Sequence, residues 1–466
     1  MSTKEIDVTP FRTTTSPRKT AGGRRHPLAI GLLAAASTFI GGAAAAQERP
    51  ATPGAPLTLQ TAIDIALDAN PLMRAAREGV QVAREAVGEA RAPYYPEIVL
   101  RAGYTRWQSQ AFLPEGIPGF TDGATIGPTN DWTAGLAGRY TLADFGERAA
   151  RLRATLARQD IADVEVTRVR QNLALGVAQA FYGLVAAIES RRVGESTLAR
   201  AEEHMALARA RRAAGAVSGA DVIQAQVEVA DARLALVRLD RLVRVARGQL
   251  TTSMGLPVET PVDVAPSVGA IAPPDLEPMA DALARADDRP EVAVARTHVT
   301  LGDWQVAVAE SAFRPRIEAE GSYGWRDRDF PVGQDWRAGV VVRWSLFDGH
   351  ARQHRLGQAR AEQARAKADT ERVHQQVRQD VWTARARLEE AFAAIAAAEV
   401  LVRDADEGVR VATERYRVGA GTVNELLDAQ SALTRANAAR VEARWQYETA
   451  QVEYRWSMGK AVGGVS

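Results

Sequence analysis

Two stretches of the chain align without a gap and decide its fold: Trp132–Arg148 reads WTAGLAGRYTLADFGER, and Trp336–Arg352 reads WRAGVVVRWSLFDGHAR. In each stretch apolar residues occupy every second position as far as a leucine, and the positions between them include arginine. This period of two is typical of a β-strand with one apolar face. Each strand pattern stops at an aspartate with a glycine one or two residues later, which indicates a turn. The matching pair predicts a duplicated unit.

The duplication extends far beyond these strands. An offset of 204 residues continues to the pairs Met254-Gly255 and Met458-Gly459, whereas Pro96–Tyr104 matches Pro315–Tyr323 at an offset of 219. The difference of 15 residues falls between Trp107 and Asp131, where glycine and proline are frequent. We interpret this stretch as a loop insertion in the first copy. Repeats of this length fix the architecture of the whole chain.

Proline use divides each copy in the same way. All 21 prolines avoid residues 129–256 and 332–466, which predicts long helices there. The sequence predicts a first repeat at 57–255, a Pro-rich linker at 256–275 and a second repeat at 276–460. Within them it predicts strands at roughly 94–107, 131–143, 315–327 and 335–347, and long helices at roughly 146–213, 218–254, 350–416 and 422–458.

The long helices carry apolar stripes of period three to four. One stripe includes Val166, Val169 and Leu173, and another includes Ile223 and Val227. A helix over 146–213 would extend about 100 Å at 1.5 Å per residue, which is too long for one compact domain. We therefore expect the helices to pack side by side as an extended, coiled-coil-like bundle.

Aromatic residues bracket the apolar face of each second strand. Trp132 and Tyr140 are eight residues apart, as are Trp336 and Trp344. At a tilt of about 40° this spacing covers about 21 Å, close to the lipid-facing height of a membrane barrel, so these four aromatics are predicted to lie at the membrane interfaces. A soluble sheet with one buried face is the alternative. Even small membrane barrels need about eight strands, so several chains would have to contribute.

The first 46 residues have the pattern of a signal peptide. Basic residues precede an uncharged stretch, Pro27–Ala46, that ends in four alanines, which predicts cleavage after Ala46. An uncleaved membrane anchor is the alternative. Beyond Gln47 no stretch approaches about 18 consecutive apolar residues, so we expect no helical span in the mature chain.

Composition excludes several classes of function. The chain has no cysteine, which excludes disulfides, thiolate zinc sites and thiol catalysis. Its formal net charge is +1, which argues against nucleic acid as a partner. It contains neither an HExxH motif nor a glycine-rich phosphate loop after a strand. We therefore expect no enzymatic activity, no cofactor and no bound metal.

In its order of motifs the chain resembles the outer-membrane efflux protein family typified by TolC, over roughly residues 57–460. The residues that carry the resemblance are LTLQTAIDIALDANPLMRAAREGVQVAREAVGEARAPYYPEIVLRAGY from Leu57, the turns YTLADFGER and WSLFDGHAR, the helix ends RAAGAVSGADVIQAQ and YRVGAGTVNELLDAQSAL, and the two MG pairs. The resemblance implies a mixed fold of long helices and a membrane β-barrel, in which four strands per chain build a 12-stranded barrel in a homotrimer, above a long α-helical barrel in the periplasm.

The resemblance also implies a function and partners. It implies an outer-membrane exit duct of a tripartite efflux or type I secretion system, which receives substrates from an inner-membrane pump through a periplasmic adaptor. The adaptor is expected to dock on the tips of the helical hairpins, Gly215, Ala216, Val217, Val418, Gly419 and Ala420. The alternative for the glycines is that a helical turn simply requires them. The rival function is a periplasmic coiled-coil scaffold or adaptor without a barrel.

Acidic residues follow the tips. Asp221 matches Glu425, and Asp428 lies one turn further along the same predicted helix. Repeated in three subunits, Glu425 and Asp428 would form acidic rings that attract cations and respond to protonation. The alternative is ordinary helix capping. By resemblance, Tyr416 occupies the position of a tyrosine that helps to close the entrance, and we expect it to bond Asp221, while Gly421 replaces the family's arginine.

Arginines are predicted on the polar strand faces, at positions 101, 139, 337 and 343. They are expected either to make the field of a barrel lumen less negative or to form ion pairs with Glu97, Glu318 and Glu320.

Overall fold

The structure is a computed structural model that describes residues 56–111, 124–265, 271–327, 333–460 and 462. The predicted signal peptide, residues 1–46, lies outside the described residues, as do the middle of the proposed loop insertion and part of the predicted linker.

Eight α-helices and four strands follow one another in two similar series within the described ranges. The first series is α1 (Leu59–Ala69), α2 (Pro71–Arg91), β1 (Glu97–Ala111), β2 (Ala124–Ala143), α3 (Glu147–Ala213) and α4 (Gly219–Ser253). The second series is α5 (Met279–Ala286), α6 (Pro290–Ser311), β3 (Arg316–Asp327), β4 (Gly333–Arg343), α7 (Ala351–Arg417) and α8 (Val423–Ser457). Helices α3 and α7 have 67 residues each, and α4 and α8 have 35 each.

The strand ends differ from those expected from the sequence. Strand β2 begins at Ala124, inside the proposed insertion, and pairs with the extension of β1 to Ala111. The insertion therefore lengthens a hairpin instead of forming only a loop. Strand β4 ends at Arg343, so Trp344 lies just outside it, where its indole Nε1 donates to the carbonyl of Phe313 at 3.1 Å.

The four strands form one antiparallel sheet in the order β1-β2-β3-β4. The register places one set of alternating residues on each face of the sheet. One face is apolar and solvent-exposed in a single chain; its members include Ile98, Leu100, Tyr104, Trp132, Leu136, Tyr323, Trp325, Trp336, Val340 and Val342. An exposed apolar sheet face of this extent requires a partner such as lipid.

The opposite face carries charged residues and a close contact between strands. Gly135 of β2 pairs with Gly324 of β3, and a Cβ built on Gly135 would lie 2.6 Å from the Cα of Gly324. No side chain fits in that space, so both positions require glycine.

Each second strand enters its long helix through the same turn. Asp144 accepts from the backbone N–H of Arg148 at 3.1 Å and from its Nε at 2.6 Å, and Asp348 holds Arg352 in the same way at 3.2 and 3.1 Å. The aspartate thus satisfies free N–H groups of the first helical turn. This common arrangement explains the repeated Asp and Arg of the two motifs.

The long helices pack side by side. Helix α3 contacts α4, α8, α2 and α6, and α7 contacts α8 and α6. Two hydrophobic cores lie between the helices. One contains residues of α1, α3, α4 and α8, and the other contains residues of α5, α7 and the other face of α8. The described helices include one that is apolar and long enough to cross a membrane: an 18-residue window of α3 has a mean hydropathy of 1.5. In this chain 44% of that window is buried by neighbouring segments.

A pair of equivalent contacts joins the end of each hairpin to the start of its repeat. Asn70 caps α2 and donates through Nδ2 to the carbonyl of Ser253 at 2.8 Å, next to Gly255. In the second repeat Arg289 precedes α6 and lies beside Gly459 and the ring of Trp456. These contacts explain the two Met-Gly pairs.

Candidate functional site

The two helical tips have the same backbone. At the end of α3, Gly215 takes φ of 74°, and the N–H of Ala216 donates to the carbonyl of Arg211 at 2.9 Å. At the end of α7, Gly419 takes φ of 80°, and the N–H of Ala420 donates to the carbonyl of Arg415 at 2.8 Å. This is the Schellman arrangement, in which a glycine with positive φ ends a helix.

The proposed docking residues lie on this turn. Gly215, Ala216, Val418, Gly419 and Ala420 are exposed, whereas Val217 is half-buried. Val217 packs against a small core beneath the tips that contains Tyr416, Val423 and Leu426. The five exposed positions present backbone and small side chains to a partner.

Asp221 and Glu425 belong to the caps of α4 and α8. Ser218 accepts from the backbone N–H of Asp221, and Thr422 accepts from that of Glu425 at 3.3 Å. The hydroxyl of Ser218 also donates to the Asp221 carboxylate at 2.7 Å. An acid three residues after a capping Ser or Thr is the usual helix start, so the capping alternative describes the local contacts of both acids.

The remaining acids differ in their surroundings. Glu425 lies 3.4 Å from the guanidinium of Arg415, and both side chains are about half exposed. Asp428 is exposed one turn further along α8 and forms no ion pair within the described ranges. Asp428 is therefore free to face another subunit or the solution.

Tyr416 is buried, and its partners differ from the one expected. Its hydroxyl has no hydrogen-bond partner among the described residues, so the expected bond to Asp221 is not formed. Instead the guanidinium of Arg211 lies over the Tyr416 ring at 4.5 Å and donates to the Tyr416 carbonyl. Burial raises the pKa of Tyr416, and the nearby charge of Arg211 opposes that rise.

His204 completes this cluster from the same helix as Arg211. Its Nδ1 lies 3.0 Å from a carboxylate oxygen of Glu228, and its ring lies edge-on to Tyr416 at 5.6 Å. Arg211 and His204 of α3 thus both contact Tyr416 of α7. Neither residue was predicted from the sequence. The available signal was Arg211-Arg212 directly before the glycine turn, a position where cations interact with the helix end.

A second link joins the other two helices at the tips. The side-chain amide of Gln224 on α4 donates through Nε2 to Oδ1 of Asn424 on α8 at 2.7 Å. Both helical hairpins of one chain are therefore held together at their ends.

The aromatic residues predicted at the membrane interfaces lie at both ends of the apolar sheet face. The rings of Trp132 and Tyr104 are in contact, with centroids 4.5 Å apart and planes inclined at 39°. Trp336 is 69% exposed. Tyr140 and Trp344 lie at the opposite end of the sheet, next to the helices, and are also exposed.

The sequence left open whether the arginines on the charged face of the sheet form ion pairs, and the structure shows two that do and two that do not. Arg343 contacts Glu318 and lies 2.6 Å from Glu320, and Arg139 lies 4.0 Å from Glu320. Arg101 and Arg337 form no ion pair with any residue that the structure describes. Two of the four arginines are therefore neutralised within the chain, and two are not.

Comparison with known proteins places this geometry in a family. The chain matches the outer membrane efflux protein family over residues 62–256 and 282–460. It is 32% identical over 413 residues to protein CyaE of Bordetella pertussis, covering 86% of this chain and 84% of that protein. It is 27% identical over 394 residues to the pyoverdine export outer membrane protein OpmQ of Pseudomonas aeruginosa, covering 80% and 78%.

The fold agrees with solved structures. The outer membrane protein VceC of Vibrio cholerae superposes with a TM-score of 0.72 at 20% identity, covering 87% of this chain and 96% of that one. The solved outer-membrane channel OprN superposes with a TM-score of 0.76 at 22% identity, covering 87% of this chain and 90% of that one. The predicted fold class, location and general function are confirmed. The chain is therefore a member of the outer membrane efflux protein family, an outer-membrane exit duct that extends into the periplasm.

Proposed function

We propose that three copies of the chain form one duct, with a closed barrel of twelve strands and a continuous helical tunnel below it. The sheet of one chain supports this proposal because its four strands leave β1 and β4 as unpaired edges. Edge N–H and C=O groups have no partner in lipid, so a sheet in a membrane must close.

The helices support lateral association of copies. A stripe on α4 is exposed in the single chain although it is apolar, and it comprises Ile223, Val227, Leu234 and Val237. Trp382 and Leu401 on α7 are exposed in the same way. A neighbouring copy would cover such surfaces.

The continuity between the sheet and the long helices supports the proposed function most directly. The exposed apolar sheet face continues, through the Asp144 and Asp348 turns, into helices of 67 residues. At 1.5 Å per residue each helix reaches about 100 Å away from the sheet. This arrangement suits a passage that begins in the outer membrane and ends deep in the periplasm.

The tips are then the entrance, and we assign two roles to them. The exposed turn residues Gly215, Ala216, Val418, Gly419 and Ala420, with Val217, receive a periplasmic adaptor, which links the duct to an inner-membrane pump. Around the entrance, Asp221, Glu425 and Asp428 attract cations, and Tyr416 helps to hold the hairpins in place. The exposure of Asp428 and the contacts of Tyr416 with α3 support the second role.

Ion selectivity tests the entrance. We would record single channels in planar bilayers for the wild type and for the double variant Glu425→Ala, Asp428→Ala. We expect cation-selective openings in the wild type and a loss of selectivity in the variant. The matched control is Glu399→Ala, an exposed acid on α7 about 28 Å above the tip, which should leave selectivity unchanged. Equal loss in the control would refute the assignment of the gate, and absence of channels from a folded sample would refute the barrel.

Docking requires a separate test in cells. Val418 is 71% exposed at the second tip, whereas Val411 is half-exposed two turns higher on the same helix. We expect Val418→Glu to abolish export and adaptor cross-linking while channels in bilayers remain normal. Val411→Glu should support export. If Val418→Glu exports as the wild type does, the adaptor does not depend on this tip.

A further inference from the structure

The internal duplication extends to the pairing of individual strand residues. The register of β1 on β2 runs from Glu97 opposite Arg139 to Trp107 opposite Thr129 before its irregularity. Moving β1 by 219 residues and β2 by 204 gives Arg316 opposite Arg343 and Arg326 opposite Gly333, which are the ends of the β3–β4 register. All the pairs between those ends agree. The two sequence offsets therefore transfer strand register between repeats.

The same operation can be applied to the contact between the repeats. Strand β2 pairs with β3 from Trp132 opposite Asp327 to Thr141 opposite Glu318. Moving β2 forward by 204 residues gives β4, and moving β3 back by 219 gives β1. These two strands are the free edges of one chain. In a closed trimer, which is our proposed function, β4 of one copy meets β1 of the next.

We propose that this seam repeats the β2–β3 register, with Arg101 opposite Arg343 of the next copy, Gly103 opposite Val341, Thr105 opposite Gly339 and Trp107 opposite Arg337. Because both strands run through a membrane barrel made from six similar hairpins, one register at every junction gives all strands the same tilt. The partner of each edge is thus a second copy of this chain, in a defined alignment.

The proposed seam keeps the faces of the sheet distinct. It places Ala102 beside Val342 and Tyr104 beside Val340 on the apolar face, and it places Arg101, Arg337 and Arg343 on the other face. Arg106, opposite Ala338, is a charged residue on the apolar face, near the end of β1 away from the helices. A shift of one residue would turn Arg101 toward lipid, at a cost of a few kcal/mol per charged side chain near the bilayer centre. Only registers that differ by an even number of residues remain as competitors.

The seam places Arg101 beside a network of charged residues on β3 and β4 of the next copy. The seam pair Arg343–Arg101 corresponds to the pair Arg139–Glu320 inside one chain. The seam therefore has Arg101 where the pair inside the chain has a glutamate. Arg343, however, already contacts both Glu318 and Glu320. The same carboxylates also lie near other cations of the chain, Glu318 at 3.9 Å from Arg316 and Glu320 at 4.0 Å from Arg139. Arg101 has no ion pair within the described part of its own chain, and the seam would add it to this network from the next copy.

The other unpaired arginine and a glycine fit as well. Arg337 lies opposite Trp107 in the seam, and a guanidinium over an indole ring is a favourable contact. Gly339 is the counterpart of Gly135, where a Cβ would overlap the next strand. In the single chain a Cβ on Gly339 meets nothing within 4 Å. In the seam, Thr105 on β1 of the next copy lies opposite Gly339, which has no side chain to overlap that strand.

Cysteine cross-linking tests the register, because the chain contains no cysteine of its own. The variant carries Ala102→Cys and Val342→Cys. Within one chain these positions are on opposite edges, three strand spacings or about 14 Å apart, whereas a disulfide needs Cα atoms closer than about 7 Å. Oxidised outer membranes should therefore yield covalent dimers and trimers that collapse to monomers on reduction.

The matched control is Ala102→Cys with Ala338→Cys, which shifts the register by four residues on the same face and should not cross-link. A second pair, Gly103→Cys with Val341→Cys, tests the charged face if the first variant fails to assemble. Native gels establish trimers independently. Trimers that cross-link through 102 and 338 but not through 102 and 342 would overturn the register alone. Failure to form any trimer would overturn the proposed assembly instead.

Discussion

The guanidinium of Arg211, near the end of α3, covers the ring of Tyr416, near the end of α7, and donates to the carbonyl of the same residue. The two residues are 205 positions apart in the chain. This contact ties the two long helices together within one subunit, directly above the turns that we assign to the entrance. It replaces the expected bond between Tyr416 and Asp221.

Removal of this contact should loosen the tips. A hydrogen bond from a charged group together with a cation–π contact contributes about 2 kcal/mol, so Arg211→Ala should raise the ratio of open to closed channels about thirty-fold. Single-channel recordings measure this ratio. Arg209→Ala removes an exposed arginine of the same helix that has no ion pair within the described ranges, and it should behave as the wild type. An unchanged open probability in Arg211→Ala would exclude a fastening role.

Arg289 should be important for stability. Its side chain is only 2% exposed, and it binds Glu291 at 3.1 Å and Asp380 at 3.1 Å. Arg289→Ala leaves two partly buried carboxylates without their cation, so we expect a loss of about 2–3 kcal/mol in the free energy of unfolding. Arg285→Ala breaks an exposed ion pair and should cost under about 1 kcal/mol. Thermal unfolding in detergent compares the two, and equal effects would contradict the prediction.

Glu448 on α8 should give the stability a defined pH dependence. Burial raises the pKa of its carboxyl, while Arg444, a hydrogen bond from Tyr182 and Arg455 oppose the rise. The folded state therefore holds the proton more tightly than the unfolded state, whose ordinary value is 4.5. The contribution of the protonated carboxyl is fully present below that value and is lost as the pH rises through the folded-state pKa.

Glu448→Gln resembles the protonated form and keeps an acceptor for Tyr182. We expect it to melt at a higher temperature than the wild type at neutral pH, with the difference disappearing as the pH falls toward 4.5. Glu442→Gln, at an exposed position on the same helix, is the control and should change little. A wild type that gains no stability relative to Glu448→Gln on acidification would contradict the assigned sign.

Two glycines with similar backbones should respond differently to alanine. Gly255 and Gly215 have φ of 78° and 74°. A Cβ on Gly255 would lie 2.5 Å from the Cα of Asn70, whereas a Cβ on Gly215 meets nothing within 4 Å. Gly215→Ala should cost only the backbone strain of about 1–2 kcal/mol. Gly255→Ala must also displace the α2 cap and should cost more than about 3 kcal/mol. Chemical denaturation of the two variants distinguishes them.

Local patterns in the sequence were sufficient for much of the fold. Alternation identified the strand faces, and the absence of proline together with the period of three to four identified the long helices. The end of β2 nearest the insertion was missed because Ala124–Asn130 does not alternate in the same way as Trp132–Leu142. The pairing with β1 determines that extension, and pairing is not a local property.

The residues around the tips were harder to predict. Gly215 and Gly419 follow from the rule that helices end at glycine, and both have positive φ. Arg211 and His204 instead act through α7, on a separate hairpin, so no spacing within α3 identifies them. The role of Glu425, Asp428 and Asp221 as a gate stays a prediction, because it depends on how copies of the chain meet.

The unpaired edges of the four-stranded sheet have a consequence for biogenesis. A single newly exported chain presents an apolar sheet face to water and cannot enter lipid without leaving the backbone groups of β1 and β4 unsatisfied. Association of the chains must therefore precede or accompany insertion into the membrane. Until then, the monomer needs protection from aggregation. The rate at which ducts appear in the outer membrane should rise more steeply than linearly with the concentration of free monomer.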